Sequence, residues 1–179
     1  MQQKIGIYPD RLGVIIGRNG SVKKKIEELT GVKLRIDSKN NVVTVEGEDI
    51  NSVLTALNII KAINYGFSPD KAFKLLDPDY TLHIIDIYTY LPRRNENDLK
   101  RVLGRIIGEK GKTKRIIEET TDTDISVYRN YVAVIGLFDD ILTVDEAIRM
   151  LIKGAMHRTV YNFLFASRKM KKAGLVEWY

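Results

Sequence analysis

LKRVLGRIIGEKGKTKRIIEE, residues 99 to 119, decides how the rest of the chain is read. Leu99, Val102, Leu103, Ile106 and Ile107 recur at the spacing of one helix face, two glycines then bracket Glu109 and Lys110, and Ile116 and Ile117 resume a helical pattern. The spacing predicts helix, tight turn, helix. Glycines at 108 and 111 let another backbone approach the turn closely, and the first amides of the second helix lie there unpaired and partly positive. A phosphodiester is the kind of anion that fits.

Working outward, the same unit occurs twice. Gly17-Arg18-Asn19-Gly20 stands 91 positions before the loop above, preceded by Ile15-Ile16 and followed by Lys23, Lys24, Lys25, Ile26, Glu27 and Glu28. At that offset Ile26 falls on Ile117, Glu27 on Glu118, Thr30 on Thr121 and Leu34 on Ile125; Val53, Ala56 and Leu57 fall on Val144, Ala147 and Ile148, with a small gap needed in the strands between.

The 179 residues suit two small modules, and 44% hydrophobic with 29% charged residues is the balance of a soluble globular protein. No apolar run is long enough to cross a bilayer and no signal peptide is visible, so the expectation is a cytoplasmic protein without a membrane partner. With no cysteine there is no disulfide, thiol nucleophile or thiolate metal site, and two distant histidines, His83 and His157, offer no metal set. Neither a metal nor a cofactor is expected.

Net charge is +6, and its placement says more than its size. Residues 153 to 179 carry Lys153, Arg158, Arg168, Lys169, Lys171 and Lys172 against Glu177 alone. Arg11, Arg18, Lys23, Lys24 and Lys25 crowd the first loop; Arg101, Arg105, Lys110, Lys112, Lys114 and Arg115 crowd the second. One such cluster is ordinarily a solvated helix face, but two at the same point of a repeat favour a polyanionic partner.

In chain order the patterns predict a strand over residues 3 to 8, helices over 9 to 16 and 21 to 30 with Gly31 as C-cap, and strands over 32 to 36 and 43 to 45 around a turn. A long helix follows with Asp49 as N-cap, ending near Gly66, then a short linker helix from Pro69. The second unit is predicted as a strand over 82 to 90, a polar loop over 92 to 97, a helix from Asp98 to the glycine turn, a further helix, two strands, and a helix capped by Asp139-Asp140. A last helix, 155 to 172, is added after Gly154. The expected divisions are 1–66, a linker 67–80, 81–154 and a basic extension 155–179.

Strand, helix, GxxG, helix, strand, strand, helix, with IIGRNG and IIGEKG as its signatures, resembles the KH domain, and the order of elements resembles its eukaryotic type (type I). The resemblance implies an α+β fold: two KH domains in tandem, each a three-stranded antiparallel sheet with helices on one face, plus a C-terminal helix. Both units depart from the usual pattern in placing a lysine, Lys23 or Lys114, where an apolar residue is expected; Val22 and Thr113 are expected to take up part of that packing. Gly111-Lys112-Thr113-Lys114, the Thr121-Asp122-Thr123 turn, Leu151-Ile152-Lys153-Gly154 and Val160-Tyr161-Asn162-Phe163-Leu164 are similar to the partner-of-Nob family of small-subunit assembly factors, also described as partners of the ribosomal RNA dimethylase. Retention of the first glycine loop resembles an archaeal rather than a eukaryotic member.

The resemblance implies binding without catalysis: a loop that clamps the backbone of about four nucleotides beside a groove that takes unstacked bases. Carried over by position, Gly17, Arg18, Asn19, Gly20, Gly108, Glu109, Lys110 and Gly111 hold phosphates, and one isoleucine of each pair, Ile16 or Ile15 and Ile107 or Ile106, lines the groove while its neighbour is core. Lys23, Lys24, Arg105, Lys112, Lys114 and Arg115 add phosphate contacts. The implied partner is single-stranded 16S (pre-)rRNA near its 3′ end, with the Nob-type endonuclease, the rRNA dimethylase or other assembly or initiation factors as protein partners.

Three alternatives lie outside that reading. The first is a nucleotide hydrolase using GEKGKT as a phosphate loop, but the first glycine would have to stand at Ile106 and no strand immediately precedes. A ribonuclease would need clustered carboxylates, which the spacing does not supply. A general KH-type nucleic-acid or protein-scaffold module outside ribosome assembly is the third, with the C-terminal helix as its docking surface.

Overall fold

A computed structural model describes residues 1–174 of the 179; residues 175–179, the end of the expected C-terminal extension, lie outside the described residues. The chain divides into two compact units at Leu82 and His83.

In the first unit β1 (Gln2–Gly6), β2 (Lys33–Asp37) and β3 (Val42–Glu46) form an antiparallel sheet in the order β1-β3-β2. Leu34 pairs with Val45 and Ile36 with Val43, which sets the apolar side chains of the alternating pattern on one face. Helices α1 (Pro9–Ile16), α2 (Ser21–Thr30) and α3 (Ile50–Asn64) pack with the sheet, and Ile15, Ile26, Val43, Val45, Val53 and Ile60 are wholly buried. Asp49 caps α3, its carboxylate accepting the Ser52 amide at 2.8 Å. The short helix α4 (Pro69–Ala72) and the 3-10 turn Phe73–Leu76 pack on α3, burying Phe67, Ala72 and Leu75.

The second unit repeats the plan. Strands β4 (Tyr80–Asp86), β5 (Asp124–Tyr128) and β6 (Tyr131–Leu137) run in the order β4-β6-β5. With them stand α5 (Glu96–Ile107), α6 (Lys112–Thr121), α7 (Phe138–Ile152) and α8 (His157–Lys172). Ile106, Ile117, Ile125, Val134, Val144, Ile148 and Leu151 form a core that Val160 and Leu164 of α8 complete.

Several boundaries differ from those the patterns predict, two of them because a polar side chain is used locally. The strand expected to reach residue 90 stops at Asp86, whose carboxylate accepts the Tyr88 amide at 3.0 Å and folds Ile87–Tyr90 into a 3-10 turn. Helix α5 begins two residues before Asp98, since Asn95 accepts the Asn97 amide at 2.8 Å and so is the cap. Asp139 and Asp140 lie inside the first turn of α7 and do not cap it; Asp140 is buried and takes the Lys171 ammonium at 2.6 Å instead. Helix α8 begins at His157, two residues after Ala155.

The repeat is also gapped more than a single offset allows. The glycine loops and α2/α6 keep the 91-residue spacing, but α3 and α7 have the same length at a spacing of 88, from Ile50 to Phe138 and from Asn64 to Ile152. Val53 therefore corresponds to Ile141 and Ala56 to Val144, a shift of nearly one helical turn from the pairing the 91 spacing suggests.

Candidate nucleic-acid interface

The two glycine loops have the same backbone. Gly17 has φ 74°, ψ 174° and Gly108 φ 75°, ψ 173°; Asn19 and Lys110 sit at φ 55° and 52°; Gly20 and Gly111 at φ 73° and 75°. The first glycine of each occupies a region that essentially only glycine adopts. It is also packed: a Cβ on Gly17 would stand 2.7 Å from the Val22 amide nitrogen, and one on Gly108 would stand 2.7 Å from that of Thr113. Val22 and Thr113 thus brace the loops from the start of the following helix.

Within each loop the last glycine N–H returns to the first glycine carbonyl at 3.2 Å. Arg18 and Asn19, and Glu109 and Lys110, are all exposed. Each loop therefore presents an exposed turn at a helix start, an arrangement suited to an anion.

The remaining candidates separate by burial. Ile15 and Ile106 are fully buried core, while Ile16 and Ile107 stay half-exposed beside the loops. Lys24, Lys112 and Arg115 are exposed. Lys23 and Lys114 are half-buried and bridge to Glu27 at 3.4 Å and Glu118 at 3.3 Å, one turn along the same helices. Those two glutamates also accept the strand amides of Leu34 and Ile125 at 2.8 and 2.9 Å, so the lysines that replace an apolar residue stand over a clamp between helix and strand.

Arg105 is placed elsewhere. Expected among the phosphate contacts, its guanidinium instead donates to the carbonyls of Leu151 and Ala155, at the end of α7 and just past it. In the first unit Arg11 does the same for Ile63 and Phe67, both at 2.8 Å. The orphan carbonyls at a helix end are a strong sink for a guanidinium, and these two arginines supply it.

Two residues escaped the sequence reading. Gly13 and Gly104, four before each loop, lie on exposed helix positions where an added Cβ would meet nothing within 4 Å. Glycine inside a helix is unfavourable, and its recurrence at the 91 spacing was the available signal that this surface is kept bare beside the loop.

Two aromatic side chains of the second unit are engaged. The Tyr128 ring lies 5.5 Å from the Arg129 guanidinium, and the Tyr161 hydroxyl is 2.9 Å from Thr113 Oγ1. The second contact bears on the hydrolase alternative, for a phosphate loop needs that threonine hydroxyl free to meet a metal ion. Here it is 1% exposed, hydrogen-bonded, and preceded by helix rather than strand. Among the described residues no group of three or more His, Asp or Glu lies within metal-holding reach, and no helix is long and apolar enough to cross a membrane. His83 meets Asp145 at 3.1 Å and His157 donates to the Arg105 carbonyl at 2.9 Å.

Comparison with known proteins agrees with this geometry. Residues 2–62 match the KH domain, and residues 81–169 match a eukaryotic-type (type I) KH domain described from the second such domain of PNO1. A KH domain-containing protein of Methanocaldococcus jannaschii is 42% identical over 177 residues, covering 96% of this chain and 77% of that protein. The pre-rRNA-processing protein pno1 of Aspergillus fumigatus is 28% identical, covering 95% of this chain and 70% of its own. Among solved structures, the a/eIF2alpha–aDim2p–rRNA complex of Pyrococcus horikoshii contains a chain that superposes with a TM-score of 0.87 at 39% identity, covering 94% of each.

Proposed function

This chain belongs to the PNO1/Dim2-type family of tandem KH-domain proteins, and on that footing we propose that it is a single-stranded RNA-binding factor of small ribosomal subunit maturation, acting by binding and not by catalysis. The observation that carries the reading is the pair of glycine loops with matching backbone angles, each with exposed central residues at the start of a helix. Gly17 to Gly20 and Gly108 to Gly111 clamp the sugar-phosphate chain; Ile16 and Ile107 line the groove; Lys24, Lys112 and Arg115, with the Glu-tethered Lys23 and Lys114, add phosphate contacts that position the strand without reading it. Glu109 points its charge away from the phosphates or meets a base amino group.

The substrate we assign is 16S (pre-)rRNA near its 3′ end. The proposed protein partners are the Nob-type endonuclease, the rRNA dimethylase and initiation or assembly factors, and the proposed compartment is the cytoplasm.

The test is fluorescence anisotropy with single-stranded fragments tiling the 3′ region, against duplex of the same sequence. Replacing Glu109 and Lys110 by aspartates, with the thermal melt unchanged, is expected to weaken single-strand binding at least about tenfold, on the order of 1.4 kcal/mol. Replacing Arg18 and Asn19 likewise is expected to cost less. A wild-type protein that prefers duplex, or loop variants that bind as well as wild type, would sink the proposal.

A further inference from the structure

Helix α8 carries a stripe that the glycine loops do not use. Arg158, Asn162, Phe165, Lys169 and Lys172 follow one another at alternating intervals of four and three, so they share one helix face, and all five are exposed. Phe165 is 53% exposed. The opposite face is the packed one, with Val160 and Leu164 wholly buried in the core of the second unit. Helix α8 contains no Asp or Glu, and among the described residues Arg158, Lys169 and Lys172 have no carboxylate within ion-pair distance; the paired cation of this helix is Lys171, held by Asp140.

The stripe has a definite start. Tyr161 meets Thr113, two residues past Gly111, and His157 donates to the carbonyl of Arg105, three residues before Gly108. The first turn of α8 is therefore fastened beside the second glycine loop, while its far end is fastened to the start of α7 through Lys171 and Asp140. From Arg158 to Lys172 the face runs about 21 Å at a rise of ~1.5 Å per residue.

We infer that α8 is a second RNA-contacting element, a track that receives the strand where it leaves the second loop and extends the site beyond the roughly four nucleotides the loop clamps. Arg158, Lys169 and Lys172 meet phosphates, Asn162 supplies a hydrogen bond, and Phe165 offers a flat face on which a base stacks. Cations spaced along one face, without an acid among them, complement a phosphodiester chain rather than a protein surface of mixed charge. The inference rests on the proposed function in one respect: the loop must hold the strand that the track extends.

Its test uses the full chain with Arg158→Gln, Lys169→Gln and Lys172→Gln together, substitutions that keep helix propensity and leave the buried face intact. Two probes are compared: the shortest tiled strand that fills the loop site, and the same strand lengthened at either end. The expected result is that the wild type binds the longer probe at least about tenfold more tightly, that the triple variant loses this gain while holding the short probe, and that its salt slope on the longer probe falls by about 2, at ~0.7 per phosphate. Phe165→Ala is expected to weaken only the longer probe, by about fivefold or more. Wild-type affinity and salt slope on the longer probe in the triple variant overturn the inference, as does equal weakening on both probes. Failure of the loop reading looks different, because the Glu109 and Lys110 double variant would then leave the short probe unaffected.

Discussion

The Tyr161 hydroxyl on α8 lies 2.9 Å from the Thr113 hydroxyl on α6, and Thr113 Oγ1 in turn occupies the space that a side chain on Gly108 would need. The added helix and the glycine loop are thus connected through one threonine that is 1% exposed. Removing the two partners should not be equivalent. Tyr161→Phe leaves a buried Thr113 hydroxyl without its partner and is expected to cost about 1–3 kcal/mol, whereas Thr113→Val leaves a half-exposed tyrosine hydroxyl that water can satisfy and should cost less. Urea unfolding of the two single variants and the double variant checks the order.

The four loop glycines should fall into two classes. At Gly20 and Gly111 an added Cβ meets nothing within 4 Å, so alanine there is expected to cost only the left-handed backbone strain, about 1–2 kcal/mol. At Gly17 and Gly108 the Cβ would collide with the Val22 or Thr113 backbone in a conformation nearly closed to other residues, and alanine should cost about 3 kcal/mol or more. Thermal denaturation of the four variants separates the classes; equal losses would contradict the packing described for the first glycine.

Arg105→Ala tests whether that guanidinium serves the fold or a ligand. It caps the end of α7 through the carbonyls of Leu151 and Ala155, so its loss is expected to destabilise the chain by about 2–3 kcal/mol while leaving the salt slope of RNA binding unchanged. Lysine should rescue poorly, because a single ammonium lacks the fork that spans two carbonyls. A reduced salt slope with unaltered stability would return Arg105 to the phosphate contacts.

The α3 cap gives a pH dependence of known sign. The Ser52 hydroxyl donating to Asp49, and then the Ser52 amide, hold the Asp49 carboxyl below its ordinary value of 3.8. A depressed carboxyl stabilises the folded chain above its unfolded pKa and loses that contribution as pH falls through the lower folded value. Asp49→Asn keeps a capping oxygen without the titration. The gap in thermal midpoint between wild type and this variant should be constant near neutrality and move in the variant's favour in the acid range.

Much of the fold was legible because it is written in short-range patterns. Helices α2 and α6, the Gly31 cap and the twin loops depend on glycine positions and a period of about 3.6 residues, which a few neighbouring residues state completely. The correspondence of α3 with α7 was not legible, since sliding a helix by three residues is close to one turn and leaves the apolar face matched either way.

The same division holds at the site. Sequence alone determined the glycine loops, the basic residues around them and the helix added after Gly154, because each is a matter of residue type at fixed local spacing. Tertiary structure alone decided that Arg105 reaches carbonyls 46 and 50 residues away and that Glu27 and Glu118, one turn from Lys23 and Lys114, are also spent on strand amides. It also set α8 beside the second loop. A long cation can satisfy a phosphate or an orphan carbonyl equally well, and which one it meets depends on what packing brings within reach of its side chain.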